Sequence, residues 1–193
     1  MSKPIPTFAQ VMEITRHISG NPALEDPEAA ALYDFCLFVP KGGVVVEVGC
    51  QLGRSSSLIT QLAKAIGFHS IHIDPYTEQP NYLSGWAEMM YRVGGEWDHA
   101  FTLFCMRTEQ AAWHLSKIGQ IDLAFIDGDH EAESVRIDLE LVANKIKKGG
   151  FLTAHDYANE GLKGVQEAIN PYVSDGNWDH IGTFGSLGIW RRK

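Results

Sequence analysis

The sequence predicts an α/β fold with a mostly parallel sheet, helices on both of its faces and a closing antiparallel hairpin. Three observations predict it. Short β-branched or apolar runs alternate with stretches of helical periodicity along most of the chain. Most of these runs stop at a glycine or an acidic residue, as strands do where they enter a turn. The last two, His180 to Phe184 and Leu187 to Trp190, are joined only around Gly185-Ser186, which marks a hairpin at a sheet edge. Strands separated by helices pair in parallel through right-handed crossovers, so the earlier runs form the body of the sheet.

Composition narrows the class. With 193 residues, 45% of them hydrophobic and 21% charged, the chain suits one soluble domain spanning 1–193. Its formal net charge of −8 disfavours nucleic acid or an anionic membrane as partner and favours a small molecule. Cys36, Cys50 and Cys105 are odd in number and far apart, which suits free thiols in a reducing cytoplasm rather than disulfides or a structural zinc site. The N-terminus lacks the apolar core of a signal peptide, and no run reaches the length of a membrane span, so a cytoplasmic location is expected.

Taken in order, Phe8 to Ile18 has helical spacing and breaks at Gly20-Asn21-Pro22. A second helix starts with Asp26 as cap and Pro27 in its first turn, and runs to Pro40-Lys41-Gly42-Gly43. These N-terminal helices, within residues 1–40, are either a lid over the sheet's carboxyl edge or plain core packing; the remainder, 41–193, is the sheet-bearing core. Val44 to Val48 is the first strand. It leads into Gly49-Cys50-Gln51-Leu52-Gly53 and a helix opened by Ser55, Ser56 and Ser57 that ends at Gly67. Ser70 to Ile73 is a second strand stopping at Asp74. The aromatic stretch 78–99 is helical in part, and reads as core or as a pocket wall. Phe101 to Phe104 is a third strand, after which Thr108 caps a helix over Glu109 to Ile118. Ile121 to Ile126 is a fourth strand, followed by Asp127-Gly128-Asp129-His130 and a helix carrying Val135, Leu139, Val142 and Ile146, ending at Lys147-Lys148-Gly149-Gly150. Phe151 to Ala154 is a fifth strand, ended by His155-Asp156-Tyr157, and a helix from Leu162 to Tyr172 precedes the hairpin.

The turn after the first strand should receive a ligand, because glycines allow close approach and the helix start offers free N–H groups together with Ser55 and Ser56. The spacing G-x-x-x-G followed by Arg54 fits neither the dinucleotide fingerprint nor a phosphate loop. Glu47, just before the first glycine, would repel a pyrophosphate and attract an ammonium or sulfonium group. Asp74 stands where a nucleotide-binding βαβ unit places an acid for ribose hydroxyls. In a parallel sheet, ligands bind outside the carboxyl ends of the strands, so Gly49, Asp74, Asp127, His130, His155 and Asp156 converge on one rim.

These motifs resemble those of class I S-adenosylmethionine-dependent methyltransferases. The first is acidic-x-Gly-x-x-x-Gly; Ile-Asp-Gly-Asp-His, Lys-Lys-Gly-Gly and His-Asp-Tyr are similar to the small bacterial enzymes related to macrolide sugar O-methyltransferases, and more distantly to catechol O-methyltransferase. The resemblance runs from about Leu32 to Trp190. It implies the Rossmann-like fold of that class, with seven strands, and S-adenosyl-L-methionine as cofactor, bound by Glu47, Gly49, Gly53, Ser55, Ser56, Asp74, Thr108 and Asp127. It also implies a divalent ion such as Mg or Mn on Asp127 and Asp156, with His155 standing where an acid is usual, and His130 as the base that removes the acceptor's hydroxyl proton, with Asp127 as its catalytic partner. The acceptor would be a small hydroxylated metabolite or sugar, and a homo-oligomer is compatible with the sequence. An NAD-dependent oxidoreductase or a noncatalytic cofactor-binding module are the competing readings. The missing middle glycine disfavours the first, and the polar residues at Asp127, His130 and Asp156 disfavour the second.

Overall fold

A computed structural model describes residues 4–15, 24–77, 80–93 and 100–193. The expected end of the first helix at Ile18, the break at Gly20-Asn21-Pro22, and Gly94, Gly95 and Trp97 lie outside the described residues. The elements are α1 (Phe8–Thr15), α2 (Asp26–Cys36), β1 (Val44–Val48), α3 (Arg54–Leu62), β2 (His69–Ile73), α4 (Pro80–Arg92), β3 (Phe101–Phe104), α5 (Ala112–Lys117), β4 (Ile121–Ile126), α6 (Ala132–Leu141), β5 (Ile146–Ala154), α7 (Lys163–Val173), β6 (Trp178–Phe184) and β7 (Leu187–Arg192). The strands form one seven-stranded sheet in the order β3-β2-β1-β4-β5-β7-β6. The first five run parallel, and β7 joins β5 antiparallel with β6 outside it. This is the mostly parallel sheet with an antiparallel closing hairpin that the sequence predicts.

Alternation along the strands splits the core into two layers. Val46 and Val48 of β1 face Leu115, Val135, Leu139, Val165 and Ile169 of α5, α6 and α7. Val45 of β1 and Leu123 and Phe125 of β4 face Val11, Leu32, Leu58, Ile59 and Leu62 of α1, α2 and α3. The described N-terminal helices therefore cover a face of the sheet, and Glu28 of α2 reaches the rim. A smaller cluster of Cys50, Tyr76, Trp86 and Met90 seats α4 beside the first turn. Among the described residues no helix is long and apolar enough to cross a membrane.

Three of the boundaries that differ from expectation do so for a local reason. The residue before α2 is Glu25, not Asp26, and its N–H donates to the Glu28 carboxylate at 2.7 Å. The helix expected from Glu109 begins at Ala112, because Gln110 Oε1 accepts the Arg107 N–H at 2.9 Å and the Thr108 hydroxyl is turned to Asp138. The helix expected to end at Lys147-Lys148 stops at Leu141, and Ile146 already pairs with Ile121 as β5. There Gly149 takes φ +81°, and a Cβ on Gly150 would lie 2.8 Å from the Asp122 carbonyl, so the two glycines form an irregularity in a strand rather than a helix end.

Candidate active site

The ladder hydrogen bonds continue one residue past each strand and align the rim. The N–H groups of Gly49, Asp74, Asp127 and His155 donate to carbonyls of Ile73, Phe104, Val48 and Ile126 at 2.8 to 3.1 Å. The side chains of Asp74, Asp127 and His155 consequently leave the sheet at the same level. Among the described residues, the non-glycine residues with left-handed backbone, Gln51, Tyr76 and Asp156, all lie in these rim loops, a strain that persists where surrounding structure fixes it.

A cavity of about 390 Å³ opens over the rim. Gly49, Asp74, Thr108, Asp127, His130 and Asp156 line it. Glu47, Gly53, Ser55, Ser56 and His155 stand behind its wall. Gly49 is required by the neighbouring strand: at φ +85° its Cβ would sit 1.8 Å from the Asp127 carbonyl oxygen. Gly53 serves packing in the same way, since its Cβ would lie 2.8 Å from the Trp86 ring. Both glycines thus bring protein close to protein; Gly49 also lines the cavity, and Gly53 does not.

Glu47 points into the layer under α3, away from the cavity. Strand alternation sends it there beside Val45, where the Ser56 hydroxyl donates to Oε2 at 2.5 Å and His72 Nδ1 lies 2.5 Å from the same oxygen. His72 Nε2 in turn meets Thr60 Oγ1 at 3.1 Å and Ser70 Oγ at 3.0 Å. Five polar side chains in a buried layer thereby partner one another, while Glu47 Oε1 is buried without a hydrogen-bond partner. Asp74 shapes the turn from the cavity side: Oδ2 accepts the N–H of Cys50 at 2.8 Å and of Gln51 at 3.1 Å, and Oδ1 accepts that of Tyr76 at 2.8 Å.

At the opposite end, His155 is the hub of a charge cluster. Its Nδ1 lies 3.0 Å from both Asp127 Oδ1 and Asp156 Oδ2, and its Nε2 lies 3.0 Å from Glu28 Oε2. Burial opposes its charge, but hydrogen bonds to Asp127, Asp156 and Glu28 outweigh burial and push its pKa up to about 12, so it is an imidazolium. Burial likewise works against the Glu28 charge, yet His155 and the Ser186 and Glu25 N–H groups hold that carboxyl at about 2. Burial raises Asp127 despite its contact with His155. Asp156 is held well below the usual carboxylate range: burial opposes its charge, but His130, His155 and Asn159 outweigh that. His130, half-exposed, places Nε2 3.1 Å from Asp156 Oδ2, and that hydrogen bond raises its pKa above the ordinary histidine value. Asp129 accepts the Glu131 N–H and the Ser134 hydroxyl and so closes the turn into α6.

As for a divalent ion, Asp127, His130 and Asp156 each offer a ligand atom, all within 4.8 Å of one another. His155 does not join that set, because both its nitrogens are directed at carboxylates.

A family model described as "Methyltransferase domain" matches residues 46–157, from β1 through the rim residues to just past Asp156. The chain belongs to this methyltransferase family. It is an S-adenosylmethionine-dependent methyltransferase of class I, and the oxidoreductase reading falls. Solved structures agree in fold at low identity. The TDP-rhamnose 3'-O-methyltransferase of calicheamicin biosynthesis is 16% identical over 95% of this chain and 92% of that one, with a TM-score of 0.68. An O-methyltransferase from Bacillus cereus, solved with S-adenosylhomocysteine, is 13% identical over 98% and 93%, at 0.71. TomG from Streptomyces achromogenes, an O-methyltransferase of tomaymycin synthesis solved with S-adenosylmethionine, is 13% identical over 100% and 92%, at 0.68.

Sequence reasoning missed four residues that shape the methyltransferase site: Glu28, His72, Tyr76 and Asp138. For Asp138 a signal exists, since a carboxylate at that position interrupts the apolar stripe of Val135 and Leu139 on α6, continued by Val142 just past its end. Glu28 carries the spacing of a capping glutamate three residues past Glu25, but nothing local announces its reach to His155.

Proposed function

We propose that this methyltransferase acts on oxygen, moving a methyl group to a hydroxyl of a small hydroxylated metabolite or sugar. The observation that carries the reading is the His130–Asp156 pair at the cavity's edge, beside Asp127. S-adenosylmethionine, when bound, supplies a methyl carbon on positively charged sulfur. Gly49, Asp74 and Thr108, on the side of β1 to β3, hold the cofactor, and Asp127 stands between it and the acceptor. Glu47, Gly53, Ser55 and Ser56 support from behind by fixing the turn. His130 takes the hydroxyl proton as the oxygen–carbon bond forms and the carbon–sulfur bond breaks. Asp156 orients the imidazole and stabilises its protonated form. Positioning of the two reactants supplies much of the remaining acceleration.

The cavity lining carries Asp74, Glu109, Asp127, Asp129, Asp138 and Asp156 against Arg107 and His130. Such a field disfavours a phosphate-bearing acceptor or a nucleic acid and suits a neutral or cationic one.

A second reading is favoured by the closeness of Asp127, His130 and Asp156: they fit a divalent ion, which would lower the pKa of a bound hydroxyl. Two carboxylates and an imidazole suit manganese or zinc better than magnesium. Under it His130 is a ligand, and the base lies elsewhere.

Isothermal titration with S-adenosylmethionine, then labelled methyl transfer to a panel of hydroxylated compounds with and without chelator, tests both. Methyl transfer surviving chelation supports the dyad, and loss restored by manganese supports the ion. Binding without transfer to any hydroxyl overturns the oxygen-directed reading.

A further inference from the structure

We propose that Asp138 is the residue by which this methyltransferase reads the adenine of its cofactor, accepting the exocyclic amino group from a helix rather than from the loop after β3. This inference rests on the cofactor assignment made above. The loop after β3 puts Met106, Arg107, Thr108 and Glu109 on the cavity, and its one carboxylate there, Glu109, is exposed to solvent. Asp138 lies on α6 yet lines the same cavity, together with Met106, Thr108, Gly128 and Ile137.

Three features single it out. It is 5% exposed, so its polar atoms see little water. Asp138 replaces an apolar residue in a stripe whose neighbours Val135 and Leu139 are fully in the core. A carboxyl there costs stability unless it meets polar partners. The Thr108 hydroxyl is one such partner, and a Cβ on Gly128 would come within 3.3 Å of Asp138 Oδ2, a tight approach at the cavity wall that glycine avoids. Met106 and Ile137 flank this polar point with apolar surface. A flat heterocycle with apolar faces and one hydrogen-bonding edge matches that combination. Burial pushes Asp138 up to about 7, so the carboxyl can keep or shed its proton near neutrality as the ligand requires.

The test compares S-adenosylhomocysteine with its 6-deamino analogue, in which purine replaces adenine, by calorimetry on the wild-type chain and on Asp138→Ala. A hydrogen bond to a carboxylate gives the amino group a preference of about tenfold or more in the wild type. In Asp138→Ala the preference should fall to about twofold or less, because the pairwise coupling is gone. Asp138→Asn, which keeps an acceptor oxygen, should retain most of it. Full preference persisting in a folded Asp138→Ala protein overturns the assignment. Should that variant not fold, equal affinity of the wild type for the two ligands overturns it as well, and a clear wild-type preference kept by Asp138→Asn supports it. Failure of the wild type to bind either ligand removes the cofactor placement itself, a different result from binding that ignores the amino group.

Discussion

Glu28→Ala should be the most destabilising single truncation at the rim. Glu28 Oε2 faces His155 Nε2 at 3.0 Å and accepts the Glu25 N–H at 2.7 Å, while Oε1 accepts the N–H and hydroxyl of Ser186 at 2.7 and 2.8 Å. Truncation leaves a buried imidazolium with two carboxylates on one side and no partner on the other. Breaking a buried pair in this manner costs about 3–5 kcal/mol. Glu28→Gln keeps the volume but supplies only one acceptor atom for partners on both oxygens, so it should cost about 1.5–3 kcal/mol. Urea unfolding of wild type and both variants, with m-values compared, measures this. The pH dependence follows from the two shifts. Glu28 is depressed, so its contribution is present above its ordinary 4.5 and is lost as pH falls towards about 2. His155 is raised, so its contribution is complete below its ordinary 6.5 and declines as pH climbs towards about 12. Together they place the maximum between those ordinary values. A loss below about 1 kcal/mol for Glu28→Ala at pH 5.5, with an unchanged m-value, would refute the reasoning.

Other outcomes follow from the same geometry. His130→Ala should lower turnover about 10²–10⁴-fold while S-adenosylhomocysteine affinity by calorimetry stays nearly unchanged; parallel losses would make it a binding residue. Because Asp156 raises the His130 pKa and the neutral ring is the working form, the rate in wild type should rise with pH through a midpoint above 6.5; a midpoint below that value contradicts the dyad. Gly49→Ala should fail to give a stable protein, since its Cβ would meet the Asp127 carbonyl at 1.8 Å, and a thermal melt close to wild type would contradict the packing. His72→Ala should cost about 1–3 kcal/mol in denaturant unfolding by removing a buried partner of Glu47, Thr60 and Ser70, with the cavity residues untouched.

Much of the fold was legible because buried parallel strands and amphipathic helices write different periods. β1 and β4 lie where the runs Val44 to Val48 and Ile121 to Ile126 put them. Boundaries were legible only where chemistry is local. Thr108 looks like a helix cap until a carboxylate from α6 claims its hydroxyl, and Lys147-Lys148-Gly149-Gly150 looks like a helix end until Lys147 pairs with the buried Asp122 of β4. In the site, residues at strand ends could be found by rule, since the sheet delivers Asp74, Asp127 and Asp156 to one rim whatever lies between them. Side-chain direction was harder. An acid ahead of a glycine turn suggests a ligand contact, yet the pleat turns Glu47 the other way, and only the pairing of β1 with β2 brings His72 to it. Glu28 and His155 meet across 127 residues, a contact that no window along the chain contains.

The bond from Ser186 to Glu28 joins groups 158 residues apart. A contact of such separation closes a long loop and forms late in folding. A chain emerging from the ribosome can therefore stack its early helices on nascent strands well before the acceptor end of its cavity exists. Competence for methyl transfer is delayed until the final hairpin swings into register and clasps the first acidic helix.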